Sequence, residues 1–188
     1  MLGFVTCKLV TFLSEKGRWD MYTIEQINQS NHEEFAAITE GIFEHSPWIS
    51  KKVETAKPFT SLQHLHQEMV AVVENSLPEE KLALIKAHPN LGDRVAMTNH
   101  SVQEQKGAGL QNLTSDEYQQ FISMNHQYME KFGFPFILAV RGKNKHEIYE
   151  AMETRFQNSK DIEFQTALIE IYKIARLRLE EKISQSFR

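Results

Sequence analysis

Apolar residues return every three or four positions along most of the chain, the spacing of one buried helical face, and polar helix-starting residues separate the runs. Thr23-x-x-Gln26 reads as a capping box. Asn31 precedes Glu33, Glu34 and an amphipathic stretch to Phe43, which Pro47 ends. Thr60 or Ser61 caps a helix carrying Leu62, Leu65, Met69, Val72 and Val73 on one stripe, and Ser76 with Pro78 opens another that halts before Pro89. Ser101-x-x-Glu104 and Thr114-x-x-Glu117 offer two further capping boxes; the second starts a helix through Phe121 and Tyr128 that stops near Gly133. Helices over 146–156 and 162–183 complete the set. One run breaks the rhythm: Phe134-Pro-Phe-Ile-Leu-Ala-Val140 is continuously apolar, too short for a helix, interrupted by Pro135 and without an evident partner strand. The pattern therefore predicts an all-α fold, a single-domain helical bundle over 21–188 with one short buried extended segment near 134–140.

Composition narrows the setting. With 188 residues, 41% hydrophobic, the chain fits one core, and eight Gly and five Pro are too few for a disordered protein. A net charge of −4 with scattered Lys and Arg argues against nucleic-acid binding. Cys7 is the only cysteine, which excludes an internal disulfide and a thiolate metal cage and makes a cytoplasmic setting the default. No apolar run approaches the roughly 20 residues that span a bilayer. Residues 1–20 look unlike the rest of the chain and are read as an N-terminal extension, outside the native domain or disordered. Lys8 interrupts the mildly apolar Met1 to Leu13 and no basic segment precedes it, unlike a secretory leader. A clean helical start appears only at Met21-Tyr22-Thr23, which makes Met21 a candidate initiator.

Four constellations could carry chemistry. In Ala87-His88-Pro89-Asn90-Leu91-Gly92, proline pushes His88 out of helical geometry and places an imidazole, ordinarily titrating near pKa 6.5, beside a small apolar wall; the alternative is a helix-stop histidine bound to a terminal carbonyl. Ser101, Glu104 and Gln105 are either a capping box with a neighbour or a polar cluster, with Gly107 and Gly109 permitting close approach of backbone or ligand. Arg178 projects from the apolar stripe of Ala167, Ile171 and Ile174, so its guanidinium needs an anion, either a ligand or an internal carboxylate. The backbone of 136–140 needs partners that a ligand or a hidden β-bridge would supply. His64-x-His66 resembles a metal pair, but on a helix the two point to nearly opposite sides, and no metal site is expected. Phe43 to Trp48 reads as core.

Taken together, Ala87-His-Pro-Asn-Leu-Gly92, Ser101-x-x-Glu-Gln105 with Gly-Ala-Gly-Leu110, and Lys131-Phe-Gly-Phe-Pro-Phe136 resemble the 2-oxo-4-hydroxy-4-carboxy-5-ureidoimidazoline (OHCU) decarboxylases, in order, across roughly 21–183. Asn90 and Gly92 stand where many members carry Asp and Ala or Gly, a departure expected to matter little. The resemblance implies an all-helical, usually dimeric domain that converts its ureidoimidazoline to (S)-allantoin and carbon dioxide without metal or organic cofactor. In some bacteria the domain is fused to urate oxidase, so fusion to that enzyme or association with it is implied too. Carried over motif by motif, the catalytic roles fall on His88, Glu104 and Arg178, with Arg176 and Arg141 as competitors for the last. Substrate contacts fall on Pro89, Ser101, Gln105 and the backbone of Phe136, Ile137, Leu138, Ala139 and Val140. Two other readings stand beside this one: a ureide hydrolase using the same pocket, and a helical adaptor whose Phe-rich segment docks a partner such as urate oxidase.

Overall fold

Each helix begins where a side chain or a proline can deal with its first free amides. The computed structural model describes residues 21–92 and 97–184, and among them nine α-helices and no strand. They are α1 (Ile24–Gln29), α2 (His32–Thr39), α3 (Pro47–Val53), α4 (Leu62–Glu74), α5 (Pro78–Lys86), α6 (Asn99–Gly107), α7 (Ser115–Phe132), α8 (Lys145–Arg155) and α9 (Lys160–Lys182). Residues 1–20, and with them the expectation of an N-terminal extension, lie outside the described residues. The capping boxes expected at Thr23 and Thr114 form, and Asn31 makes a third with Glu34. Several starts differ from expectation: Leu77 rather than Ser76 precedes α5, and α8 and α9 begin one and two residues earlier than read. Pro47 opens α3 at its first turn, where a missing N–H costs nothing, rather than merely ending the preceding stretch. Thr98, not Ser101, caps α6, so Ser101 and Glu104 lie inside the helix.

The long α9 is the spine of the fold, packed against α4, α5 and α7. Its stripe of Ala167, Ile171 and Ile174 is buried as the periodicity requires. Three charged residues share the buried side of α9: Glu163, Glu170 and Arg178. Each is paired, and each pairing fixes a wall of the site described below.

The apolar segment after α7 runs without a strand partner, as expected; the isolated bridge among the described residues joins Tyr22 to Ile183 instead. There the Tyr22 N–H donates to the Lys182 carbonyl at 2.8 Å and the Ser184 N–H to the Tyr22 carbonyl at 2.9 Å. Phe134 and Phe136 anchor the apolar segment in an aromatic cluster with Tyr128, Phe132 and Phe156. Both rings are fully buried, each stabilising the fold by about 1.5–3 kcal/mol. This Phe-rich stretch is spent on the chain's own core, which leaves it unable to serve as the docking surface of an adaptor.

Candidate active site

Four parts of the chain meet at one small hollow. The loop after α5 supplies His88, Pro89 and Leu91, and α6 supplies Ser101, Glu104 and Gln105. The apolar segment contributes Phe136, Ile137, Leu138 and Val140, and α9 contributes Ile174 and Arg178.

His88 sits where α5 ends before Pro89, and its Nδ1 lies 3.0 Å from the Leu84 carbonyl. A carbonyl only accepts, so Nδ1 carries the proton and Nε2 is left as an unprotonated acceptor. The helix-stop contact and a reactive imidazole are thus two edges of one ring. The acceptor fixing the tautomer is Leu84 rather than Glu104. Burial lowers the His88 pKa to about 4, against the opposing pull of the Leu84 carbonyl and Glu44, so the imidazole is neutral at pH 7. An unfolded histidine titrates near 6.5, so between the two values the unfolded chain binds a proton that the folded protein does not. The His88 contribution to stability is therefore full above pH 6.5 and is lost as pH falls through 4, about 3 kcal/mol in all. Urea melts between pH 7 and pH 4 should show this slope, and His88→Asn should flatten it.

Because α6 starts at Thr98, Ser101, Glu104 and Gln105 stand three and four residues apart on one helical face, the face turned to the hollow. Arg178 meets them from α9. Its Nε donates to Glu104 Oε1 at 2.8 Å and its Nη2 to Glu104 Oε2 at 2.7 Å, a bidentate pair. Nη1 donates to the Gly41 carbonyl and to Glu44 Oε2, both at 2.9 Å, and Nη2 also reaches Ser101 Oγ at 3.3 Å. All five guanidinium N–H groups are therefore engaged, and only the Ser101 contact is long. The two carboxylates hold Arg178 firmly protonated against the effect of its own burial. The cluster of one guanidinium and two carboxylates carries one excess negative charge. Arg176 and Arg141, the competing arginines, pair with Glu180 and Glu181 instead and do not reach the hollow.

Gln105 lines the hollow, but its amide is committed to the His88 loop. Oε1 accepts the Gly92 N–H at 2.9 Å and Nε2 donates to the Asn90 carbonyl at 3.3 Å. Gly92 itself has φ +75°, and a β-carbon there would stand 3.3 Å from Leu113 and Phe121, so this chain favours glycine more than its motif suggested. Gly107 and Gly109 differ from expectation too: a β-carbon at either would meet nothing within 4 Å, and Gly109 serves a turn at φ +77°.

Two ion-paired residues hold the apolar segment. Arg155, paired with Glu163 of α9, donates from Nη1 to the Ile137 carbonyl at 2.7 Å. Glu170 accepts the Ala139 N–H at 2.9 Å. Ala139 is thus the one member of the expected 136–140 contact set that does not line the hollow.

The OHCU decarboxylase family model matches residues 28–180. The chain belongs to the OHCU decarboxylase family. It is 43% identical over 159 residues to a 2-oxo-4-hydroxy-4-carboxy-5-ureidoimidazoline decarboxylase of Halalkalicoccus jeotgali, covering 85% of this chain and 90% of that protein. It is 44% identical over 165 residues to a uric acid degradation bifunctional protein of Bacillus subtilis, covering 88% of this chain but only 33% of the relative, so it spans about a third of that protein's length. Among solved structures, a crystal structure of (S)-allantoin synthase superposes with a TM-score of 0.71 at 32% identity, over 86% of this chain and 54% of that one.

In this OHCU decarboxylase family member, His88, Pro89, Ser101, Glu104, Gln105, Arg178 and four of the five segment residues converge on the hollow. Sequence reasoning missed Glu44, which is 1% exposed and bonded to Arg178, Ser101 and Thr98. It also missed Glu163 and Glu170. The available signal for Glu44 was a lone carboxylate between Phe43 and the His45-Ser46-Pro47 turn, within a stretch read as core.

Proposed function

We propose that the chain decarboxylates OHCU to (S)-allantoin and carbon dioxide by acid–base catalysis without an added cofactor. The observation that carries this is the convergence of a neutral imidazole, a carboxylate and a guanidinium, from three distant parts of the chain, on one small hollow. The substrate's C4 bears a hydroxyl and a carboxylate beside the C5=N bond of the ring. As carbon dioxide leaves, the electron pair of the broken bond forms a C4–C5 double bond, and the imine pair moves to the ring nitrogen, which takes up a proton from solvent. The C4 hydroxyl then gives up its proton as the carbonyl forms, and C5 receives a proton on one face.

In this reading His88 Nε2 accepts the hydroxyl proton and returns one to carbon, a role suited to an unprotonated nitrogen held by its far edge. Glu104 holds the hydroxyl or a ureido N–H. Arg178 attracts the substrate carboxylate or the charge developing on the ring, the long Ser101 contact being the one a substrate oxygen replaces. Pro89 walls the ring of His88, and Ser101 with the Leu138 and Val140 amides grips the ureido and lactam oxygens. Gln105 acts on this reading mainly by holding the His88 loop. The same proposal includes a homodimer and fusion to or association with urate oxidase, supported by the resemblance and by the name of the Bacillus relative. It also includes a cytoplasmic location; among the described residues no helix is long and apolar enough to cross a membrane.

The test is to oxidise urate enzymatically, hydrate the product and add this protein. Circular dichroism should show one hand of allantoin forming quickly, with carbon dioxide released, where spontaneous decay gives racemate. Racemic product at the spontaneous rate, or ammonia in place of carbon dioxide, would overturn the reading, the latter in favour of a ureide hydrolase.

A further inference from the structure

We propose that Glu44 is a positioning residue of this site: from the side away from the hollow it holds the Arg178 guanidinium and the Ser101 hydroxyl, and so sets where both meet the substrate. This rests on the decarboxylase reading above. Glu44 does not line the hollow, yet both its oxygens are engaged there. Oε1 accepts the Thr98 hydroxyl at 2.6 Å; Oε2 accepts the Ser101 hydroxyl at 3.0 Å and Arg178 Nη1 at 2.9 Å. The Thr98 and Arg178 contacts outweigh the opposing effect of burial and hold the carboxyl below its ordinary pKa.

Charge balance does not explain this carboxylate. Glu104 alone already neutralises Arg178 with a bidentate pair. A second buried carboxylate adds a desolvation cost, which a merely structural role has no need to incur. The turn that carries Glu44 is shaped for the contact as well. Between α2 and α3, Gly41 at φ +74° presents its carbonyl to Arg178 Nη1, and His45 takes φ +44°. Positive φ is uncommon for a residue with a side chain and persists where the surroundings dictate it. Gly41 and Glu44 thus close on Nη1 as a clamp, leaving the Nε and Nη2 edge of the guanidinium to Glu104 and the hollow.

The geometry has an electrostatic consequence for His88. The charged groups that face its ring are Glu44 from the turn, Glu104 from α6 and Arg178 from α9, with the Leu84 carbonyl on its own helix. The two carboxylates favour an imidazolium as it forms, and Arg178 opposes it. Removing the Glu44 charge therefore makes His88 a weaker base as well as loosening Arg178.

The experiment compares Glu44→Gln, Glu44→Asp and the unaltered protein in the allantoin assay, with folding checked by circular dichroism. Glu44→Gln should lower kcat about 10²-fold, the scale of a misplaced catalytic group, with KM changed less than about threefold, and should move the acid limb of kcat/KM to lower pH. Glu44→Asp, which keeps the charge, should recover part of the lost kcat. A folded Glu44→Gln protein with unaltered kcat and pH profile overturns the proposal, as does a Glu44→Asp protein no more active than Glu44→Gln. Should Glu44→Gln fail to fold, Glu44→Asp decides alone: a reduced kcat at unchanged KM supports the proposal, and full kcat sinks it. An unaltered protein that yields racemate at the spontaneous rate defeats the decarboxylase reading itself, and this proposal with it; an active one with an unimpaired Glu44→Gln variant defeats only the role of Glu44.

Discussion

Asparagine in place of His88 is expected to leave the protein folded and to slow (S)-allantoin formation about 10²–10⁴-fold, the usual contribution of positioned acid–base help. The residue is 8% exposed, with its Nδ1 on the Leu84 carbonyl. An asparagine amide can donate to that same carbonyl, so the loop before Pro89 keeps its tie to α5. What it lacks is a nitrogen that takes up a proton, and the hydroxyl proton of the substrate then has no acceptor on that side of the hollow. Stopped-flow circular dichroism on freshly hydrated urate oxidation product measures the effect directly. A folded His88→Asn protein making one enantiomer at the unaltered rate would remove His88 from the mechanism.

Methionine at Arg178 should damage both stability and rate. It would strip the guanidinium from Glu44, whose side chain is 1% exposed, and from Glu104, whose side chain is 21% exposed. An uncompensated buried carboxylate costs about 3–5 kcal/mol; at about 2–4 °C per kcal/mol for a chain of this size, the melting temperature should fall by roughly 10 °C. Activity should drop at least about 10²-fold. Adding Glu44→Gln to Arg178→Met removes the orphaned charge, so the double variant should regain part of the melting temperature and none of the rate. Equal melting temperatures for the single and double variants would show that the Arg178–Glu44 pair is not what holds the turn in place. Lysine at 178 keeps the charge but cannot serve five acceptors, and should rescue stability better than activity.

Much of this site was legible because its residues sit at breaks in a regular pattern. His88 stands before a proline, Arg178 on an apolar stripe, and 134–140 is an apolar run of the wrong length for a helix. Those signals are local. Glu44, Glu163 and Glu170 were not legible because each takes at least one partner from a distant part of the chain, beside nearer ones such as Arg155 for Glu163 and Lys173 for Glu170. Arg178 lies 134 residues from Glu44, and Ala139 lies 31 from Glu170. A buried carboxylate without its partner in view reads as a solvated one. The misread starts have a different cause. Ser-x-x-Glu fits both a helix cap and an interior face, and only the preceding Thr98, whose hydroxyl takes the Ser101 N–H at 3.4 Å, decides between them. Pro47 likewise suits the end of one element and the first turn of the next equally well.

The bridge between Tyr22 and Ile183 brings the two ends of the described domain together at a single point. Its two backbone bonds latch the chain just before α1 to the end of α9, so the first and last elements of the described domain are secured against each other and do not fray separately. The same latch lies only five residues past Arg178 on the chain, so it also steadies the last turn of α9, which carries the guanidinium.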